Sequence, residues 1–432
     1  TRATNDLLQD LAIRLEYHDK RLSDYGLPEP ENTYTELQRA QLQYDQNDQE
    51  RLLQSMNFST PNTAEQQHIF DYAMNAIEPK LTRLIFIQGI GGCGKTTMAK
   101  KILAAVRSKG VLCVGCTSTA LAATNYDNFD TAHGLFKFPV IEEEDKDIDE
   151  IGHCKLLEHS QRLELLKQTQ LIVWDEFPSN HKEIFEDVYK QLHGFNGKVV
   201  ICMGDFRQIA PVIKSGDRQD IFNACIKNSY LWPSFQVLKL TKNMRLINHN
   251  NPNQDDPQKN YGNLILAIGE GNHLNKDADL QTENNSLGEQ TYLISNINYV
   301  LTEKDAMDFI YPNEVINQEE STSRALLAIT NKGVDKWNEK IQELNSNESI
   351  DLYSKDILCE VDDPHNIIHN MLTEDILHQF NNNSVPPHKL KLKCGDICII
   401  TRNIAKKDGL TNNTRVKIIR IQQYCITVIS IT

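Results

Sequence analysis

Residues 89–96 read Gly-Ile-Gly-Gly-Cys-Gly-Lys-Thr, and this octet constrains the fold more than any other segment of the chain. It matches the pattern G-x-x-x-x-G-K-[ST] at every fixed position. The apolar run 84–87 before it predicts a buried strand, and Met98, Ile102 and Val106 after it recur at helical spacing. A strand, a glycine-rich loop and a helix in this order are typical of a phosphate-binding loop in a parallel α/β sheet.

The chemistry of such a loop assigns roles to its residues. Glycines let the backbone bring N–H groups to phosphate oxygens with no Cβ in the way. Lys95 supplies a point charge for the β- and γ-phosphates, and the Thr96 hydroxyl is a ligand for Mg²⁺. We therefore predict ATP and Mg²⁺ as cofactors. The predicted ATP site comprises Gly89, Gly91, Gly92, Cys93, Gly94, Lys95, Thr96 and Thr97.

Two further apolar runs end in side chains suited to phosphoryl transfer. The run 171–174 ends in Asp175 and Glu176, which we expect to hold Mg²⁺ through water and to polarise the attacking water, respectively. The run 199–203 leads to Gln208, which can touch the γ-phosphate and its water. The carboxyl ends of parallel strands meet at one edge of a sheet, so these side chains are expected beside the phosphate loop.

Charge and hydropathy narrow the class of protein. The 45 Lys and Arg residues against 59 Asp and Glu give a formal net charge of −14, which argues against a wholly basic nucleic-acid coat protein. A DNA-binding enzyme stays open, because local basic strips set phosphate contacts. The chain has no apolar run of membrane-spanning length and no secretory signal at Thr1, so we expect no membrane partner.

Alternating apolar strands and amphipathic helices predict an α/β fold with a parallel sheet flanked by helices. We expect strands at 84–87, 111–116, 170–174, 198–203 and 236–240. The predicted domains are an accessory helical segment at 1–57, the sheet domain with the ATP motifs at 58–246, a polar connecting region at 247–310, and a second α/β domain at 311–432. The connecting region contains a helix near 261–269. In the last domain the α/β pattern begins near 324–329, and a small β element follows from about 388.

The motifs, taken in order, resemble the Pif-type (petite integration frequency) group of superfamily 1B DNA helicases. Segment 204–212 matches Gly-Asp-x-x-Gln-x-x-Pro-Val, and segment 240–245 matches Leu-Thr-x-Asn-Met-Arg. The other matching segments are 62–66, 116–123, 131–136, 330–338, 386–390 and 409–415. Segments 24–28 and 231–233 are most similar to the helicase half of Helitron rolling-circle transposases. The resemblance covers most of residues 60–246 and is patchy over 324–420.

This resemblance implies two RecA-like P-loop motor domains with ATP between them, the second only partly represented here. It implies that Gln66 contacts adenine and that Arg245 is an arginine finger, which joins Lys95, Asp175, Glu176 and Gln208 as a catalytic residue. Hydroxyls and ring N–H groups position a DNA backbone, and aromatic rings stack on bases. The DNA contacts that we expect are Thr117, Ser118, Thr131, His133, Phe136 and Arg402, with Lys393, Lys406 and Lys407 as further candidates or as a solvated basic turn.

Two elements of the family pattern do not occur before Thr432: a Gln-Gly motif V that contacts DNA, and a Val-Ala-x-Ser-Arg motif VI whose Arg reaches the γ-phosphate. We expect them beyond residue 432, and a degenerate paralogue is the alternative. The chain also begins at Thr1 rather than at methionine, so we expect it to be part of a longer protein.

The leading hypothesis is an ATP-dependent DNA helicase that moves 5′ to 3′ on single-stranded DNA and unwinds duplex or forked DNA. The alternatives are a nucleotide-gated DNA-binding or scaffold module that does not unwind, and an unrelated P-loop ATPase that acts on small molecules or proteins. From the resemblance we further expect a nuclear monomer with a rolling-circle nuclease domain, fused or associated. Without that nuclease, the expectation shifts to a cellular repair, recombination or telomere-maintenance helicase.

Overall fold

The fold is given by a computed structural model that divides into two compact units. The first comprises Thr1–Ser118, Tyr126–Val140 and Ile151–Gln254, and the second comprises Thr119–Asn125, Ile141–Glu150 and Asp255–Thr432. The structure describes residues 8, 11–12, 15, 21–30, 35–77, 82–138, 153–213, 216–247, 257–270, 280–284, 290–294, 300, 302–312, 319–328, 330–354, 388–401, 404, 409–422 and 425–431.

A six-stranded parallel sheet is the framework of the first unit. Its strands are β1 (Arg83–Gly89), β2 (Cys113–Thr117), β3 (Asp130–Thr131), β4 (Leu171–Asp175), β5 (Val199–Gly204) and β6 (Phe235–Leu240). Their order in space is β3-β2-β4-β5-β1-β6. Strands β4 and β5 are buried along their whole length, as expected for apolar strands covered on both faces. The five predicted strands are confirmed, and β3 was not predicted.

Helices pack around this sheet in the same unit. They are α1 (Glu36–Leu42), α2 (Gln46–Ser59), α3 (Ala64–Ile77), α4 (Lys95–Ser108), α6 (Ala132–Phe136), α7 (Gln161–Gln168), α8 (Lys182–Gln191), α9 (Arg218–Ala224) and α10 (Met244–Ile247). Short 3₁₀ helices lie at Leu22–Tyr25, Phe177–Ser179, His193–Phe195, Ile226–Asn228 and Trp232–Ser234. Helix α2 packs against α4, so part of the predicted accessory segment lies directly on the helix that follows the phosphate loop.

An aromatic cluster fills the core on one side of the sheet. Trp174 of β4 is completely buried and lies 5.2 Å from Phe136 and 5.2 Å from Phe177, measured between ring centroids. Phe185 of α8 meets Phe177 at 5.0 Å in an edge-to-face arrangement. Such pairs add to the burial of the rings themselves. This cluster supports β4 immediately before the acidic residues at its end.

Gly115 in β2 lies against the ring of Phe129, which leaves no room for a side chain. A Cβ at Gly115 would lie 1.9 Å from Cζ of Phe129. We expect Gly115→Ala to lower the free energy of unfolding by about 1–3 kcal/mol through overpacking, despite the higher strand propensity of alanine. Urea denaturation followed by circular dichroism measures this change. The double variant Gly115→Ala/Phe129→Leu should recover part of the loss, and an unchanged urea midpoint in the single variant would contradict the prediction.

The second unit is built differently in its described part. Its helices are α5 (Ala120–Ala123), α11 (Pro257–Gly269), α12 (Glu303–Ile310) and α13 (Asn331–Leu344), with a 3₁₀ helix at Glu319–Ser323. Its strands are β7 (Leu280–Asn284), β8 (Gln290–Ile294), β9 (Ser349–Tyr353), β10 (Lys389–Lys393), β11 (Ile397–Ile399), β12 (Arg415–Ile421) and β13 (Ile426–Ser430). All strand pairs described in this unit are antiparallel.

The predicted small β element after about 388 is present as strands β10 to β13, and the predicted helix near 261–269 is confirmed by α11. Residues 324–328, near the expected start of the second α/β segment, form neither helix nor strand, and Leu327 is 93% exposed. The predicted domain boundaries stay predictions. No helix among the described residues has the length and apolarity that a membrane crossing requires.

In the segment 409–415, Asn413 stands where the resembled family has glycine, and its φ of 71° is left-handed. Asparagine is among the few other residues that adopt this conformation readily. The Asn413 amide donates to the carbonyl of Ile400 at 2.7 Å, and the hydroxyls of Thr411 and Thr414 lie 3.0 Å apart. The departure from glycine is therefore accommodated in the turn that leads into β12.

Candidate nucleotide-binding site

The phosphate loop connects β1 to α4, and its glycines are required by the backbone. Gly92 and Gly94 have φ angles of 80° and 87°, which L side chains rarely adopt. A Cβ on Gly94 would also lie 2.7 Å from Nε2 of Gln66. Helix α4 begins at Lys95, directly after this turn, so its first N–H groups face the loop. This is the local geometry that holds an anion.

Lys95 turns back onto the loop that carries it. Its Nζ donates to the carbonyl of Gly89 at 2.7 Å and to that of Ile90 at 3.1 Å. Cys93 is buried, with its Sγ 3.9 Å from the same nitrogen. The cation is thus held inside the loop. The predicted residues Gly89 to Thr97 therefore lie together on one loop and the first turn of one helix.

Gln66 ties α3 to the phosphate loop. Its Nε2 donates to the carbonyl of Cys93 at 3.2 Å, and its Oε1 accepts from the backbone of Thr63 at 3.0 Å. The side chain is buried. Glu65, its neighbour on α3, accepts from the amide and hydroxyl of Thr241 at the end of β6, and these hydrogen bonds lower the pKa of its carboxyl group. The adenine contact of Gln66 stays a prediction, and the structure adds a role in bracing the loop.

Asp175 lies buried at the end of β4, and both of its carboxylate oxygens are engaged. Oδ2 accepts from the hydroxyl of Tyr126 at 2.6 Å, and Oδ1 accepts from the backbone amide of Glu176 at 2.9 Å. The side chain of Thr96 lies close enough to the Tyr126 hydroxyl to act on its pKa. Burial is the main cause that raises the pKa of the Tyr126 hydroxyl, and the negative charge of Asp175 is the next, so the hydroxyl keeps its proton. One phenol thus contacts Asp175 and lies near Thr96, the two predicted Mg²⁺ residues.

Glu176 has a left-handed backbone, with φ at 55°. Its carbonyl accepts from the hydroxyls of Ser118 at 2.6 Å and Ser179 at 2.8 Å, which hold this turn in place. Burial, and then the charge of Asp175, raise the pKa of the Glu176 carboxyl group, and the charge of Lys95 opposes them. A more basic carboxylate in this position suits a group that polarises water.

The loop after β5 and the segment after β6 bring two more predicted residues to the phosphate loop. Gln208 is exposed, and its Nε2 lies 4.0 Å from the position of a Cβ on Gly91. The stem of Arg245 lies on Gly92, because a Cβ there would be 3.0 Å from its Cδ. The amide of Met244 donates to the carbonyl of Gly92 at 2.9 Å. The structure therefore brings together Lys95, Asp175, Glu176, Gln208 and Arg245 within the first unit.

This donor set fits a magnesium nucleotide. The left-handed glycines and the start of α4 form a cradle that any side chain would fill. Hydroxyl and carboxylate oxygens, such as those of Thr96 and Asp175, are the ligands that Mg²⁺ prefers. Lys95 and Arg245 add positive charge beside the cradle. The site can therefore bind a triphosphate and stabilise charge on a transferred phosphoryl group.

The predicted DNA contacts have different outcomes. Thr117 and Phe136 are completely buried, so their prediction as DNA contacts is wrong for this structure. Thr117 is the last residue of β2, beside Asp175 in β4, and Phe136 packs on Trp174. Thr131 precedes α6, and its hydroxyl accepts a hydrogen bond from the amide of Gly134, so it caps the N-terminus of this helix. Its contact with DNA stays a prediction.

Ser118 and His133 remain available in part. The hydroxyl of Ser118 donates to Glu176 and accepts from Nδ2 of Asn180 at 2.7 Å, and His133 is exposed. Nζ of Lys393 donates to the carbonyls of Gln342 and Asn345 at the end of α13, where a cation stabilises a helix terminus. Arg402, Lys406 and Lys407 lie outside the described residues.

Tyr126 is the site residue that sequence reasoning missed. It lies between two recognised motifs and belongs to neither, and its contact with Asp175 joins residues 49 positions apart. The apolar residues around Tyr126 recur at neither strand nor helix spacing, so no sequence pattern indicated this contact.

Comparisons with known proteins place this nucleotide-binding site within a family of helicases. The sequence model for PIF1-like helicases matches residues 62–279, just over half of the chain, and that for the 2B domain of the DNA helicase Pif1 matches residues 375–421. A comparison with curated proteins found no significant match.

Two solved structures have a similar fold. One, described as the basis for DNA unwinding at forked double-stranded DNA by two coordinating Pif1 helicases, is 18% identical over 86% of this chain and 74% of that chain, with a TM-score of 0.51. The other, Bacteroides Pif1 bound to single-stranded DNA, is 19% identical over 85% of this chain and 72% of that chain, with a TM-score of 0.50. The structural similarity at this low sequence identity establishes the RecA-like fold. With the family match over residues 62–279, the chain belongs to the PIF1-like helicases, which are ATP-hydrolysing DNA helicases.

Proposed function

We propose that this chain is the motor of a helicase that translocates 5′ to 3′ on single-stranded DNA and unwinds duplex or forked DNA. The observation that carries the proposal is the cluster at the phosphate loop. Burial raises the pKa of the Glu176 carboxyl group, Gln208 lies near Gly91, and Arg245 lies on Gly92. A site that only stored nucleotide would not need a base and an arginine at the same phosphates.

The DNA part of the proposal is supported by family membership and by the relatives described on forked and single-stranded DNA. In this chain, we propose His133, which is exposed, and Ser118, which lies beside Glu176, as contacts to the DNA backbone. The single proton of the Ser118 hydroxyl would have to leave the Glu176 carbonyl to reach a phosphate. A hydroxyl that donates to Glu176 would move with the catalytic turn. The 5′ to 3′ direction rests on the family alone.

We propose that Thr96 and Asp175 hold Mg²⁺, which would neutralise charge on the β- and γ-phosphates. Lys95 would bind the same phosphates, and Glu176 would accept the proton of the attacking water. Gln208 would orient that water. Arg245 would stabilise the charge that develops on the phosphoryl group, since it lies on the loop that holds the phosphates.

We expect single-stranded DNA to raise the rate of ATP hydrolysis, because a translocating motor couples turnover to its track. The measurement compares ATP turnover with and without DNA, and unwinding of forks that carry a 5′ tail or a 3′ tail. Glu176→Gln is the matched control, because it removes the base and keeps the shape of the side chain. It should lower turnover by about 10²–10⁴-fold.

Unwinding of the 5′-tailed fork that depends on ATP and on Glu176 would support the proposal. Preference for a 3′ tail would contradict the proposed direction. Tight DNA binding without stimulated turnover would contradict the motor and favour a nucleotide-gated DNA-binding module.

The wider biology follows as further proposals. We propose a nuclear monomer, associated with or fused to a rolling-circle nuclease domain, as part of a Helitron-like transposase. The segments 24–28 and 231–233 support this branch. A full-length protein without a nuclease domain would instead favour a role in repair, recombination or telomere maintenance.

A further inference from the structure

Tyr126 places its hydroxyl against one of the two residues that fit Mg²⁺ and near the other. The phenol oxygen lies 2.6 Å from Oδ2 of Asp175, and the side chain of Thr96 is close enough to act on the phenol pKa. Tyr126 and Asp175 are both buried, with 6% of each exposed. A buried contact of this kind is costly to break, because water cannot easily replace the lost partner.

The direction of this hydrogen bond follows from the groups involved. A carboxylate only accepts, so the Tyr126 hydroxyl donates to Asp175. The phenol oxygen keeps a lone pair, with which it can accept the proton of the nearby Thr96 hydroxyl. A metal ion bound to the Thr96 oxygen would use a lone pair and leave that proton in place. The proton would still need an acceptor, and the Tyr126 oxygen can serve as one.

The ring of Tyr126 is fixed by its neighbours, so its hydroxyl has a defined position. It stacks on Phe129 with a centroid distance of 4.1 Å and an interplanar angle of 12°. Phe129 in turn lies against Gly115 of β2, where a Cβ would leave no room for it. Strand β2 pairs with β4, and Thr117 is opposite Asp175 in that register. The stack and the carboxylate are therefore held by the same pair of strands.

We propose that Tyr126 is a positioning residue for Mg²⁺, which holds the Asp175 carboxylate in one orientation beside Thr96. It does not contact the metal itself. Partners of metal ligands fix ligand orientation, and their loss commonly costs 10–100-fold in metal affinity. The proposal rests on Mg²⁺-nucleotide binding as part of the proposed function, but it does not depend on DNA unwinding.

The test is Tyr126→Phe, which removes the hydroxyl and keeps the ring that stacks on Phe129. The readout is the affinity for a fluorescent ADP analogue, measured in EDTA and over a titration of Mg²⁺. We expect the Mg²⁺ concentration at half-effect to rise by about 10–100-fold. We expect affinity in EDTA to stay within about twofold, because the phosphate loop and Lys95 are unchanged. Tyr189→Phe, the same chemical change in the aromatic core beside Phe195, should leave both values as in the wild type.

An unchanged Mg²⁺ titration in Tyr126→Phe would overturn the proposal. So would an equal loss of affinity in EDTA and in Mg²⁺, since a general structural defect would weaken both. The proposed function is tested separately on forked DNA. A wild-type chain that fails to unwind forks, with a Mg²⁺ response that Tyr126→Phe shifts, would contradict the proposed function and support the role of Tyr126.

Discussion

Replacement of Arg245 by alanine is expected to lower DNA-stimulated ATP turnover by about 10³–10⁵-fold, the range found for arginine fingers. The side chain lies on the phosphate loop: a Cβ on Gly92 would be 3.0 Å from Cδ of Arg245. The backbone holds it there. The amide of Met244 donates to the carbonyl of Gly92 at 2.9 Å, and the backbone amide of Arg245 donates to Oδ1 of Asn243 at 3.0 Å. Its charge therefore acts where negative charge develops in the transition state. Single-turnover hydrolysis with saturating single-stranded DNA measures the effect.

The controls for Arg245→Ala separate catalysis from binding. Arg245→Lys should recover little, because an ammonium group is a point charge without the planar fork of donors. Lys242→Ala removes an exposed cation from the same segment and should retain turnover within about threefold, as expected for a surface charge. Fluorescent-nucleotide affinity should change far less than turnover in Arg245→Ala and Arg245→Lys, and neither quantity should change much in Lys242→Ala. A loss of less than tenfold in Arg245→Ala would exclude Arg245 as the finger.

The sheet could be predicted because β1, β2, β4 and β5 are mostly apolar runs that end at a polar or glycine residue. The strand before Asp175 is the clearest case, since Leu171–Asp175 is buried throughout. The catalytic cluster followed from the same fact: residues after parallel strands meet at one edge. Gln208 and Arg245 lie near glycines of the phosphate loop, although each is more than 100 positions away from it in the chain.

The DNA-facing residues could not be predicted in the same way. A motif gives the residue type but not the face of the element on which the side chain lies. Thr117 ends a buried strand, and the ring of Phe136 packs on Trp174 because α6 turns its apolar side to the core. Tyr126 was missed for a related reason. Its contact with Asp175 depends on how Phe129 packs against Gly115, and packing between distant segments leaves no periodic signal in the sequence.

Replacement of Lys95 by alanine is expected to lower ATP turnover by at least about 10²–10³-fold, as for the loss of one preorganised donor at a transition state. Nζ of Lys95 donates to the carbonyls of Gly89 and Ile90, so the cation already lies inside the loop that would hold the phosphates. An alanine there keeps α4, whose first residue it would be, but leaves the phosphate charge without its cation. ATP turnover with single-stranded DNA measures the loss.

The fold should survive this change, because Lys95 is only partly buried and alanine favours helices. Thermal unfolding of Lys95→Ala should therefore stay close to that of the wild type, which separates lost chemistry from lost structure. Lys190→Ala, an exposed lysine on α8, is the matched control and should retain full turnover. Normal DNA-stimulated turnover in Lys95→Ala would contradict the whole assignment of the phosphate loop, because no other cation of the described residues donates to the carbonyls of Gly89 and Ile90.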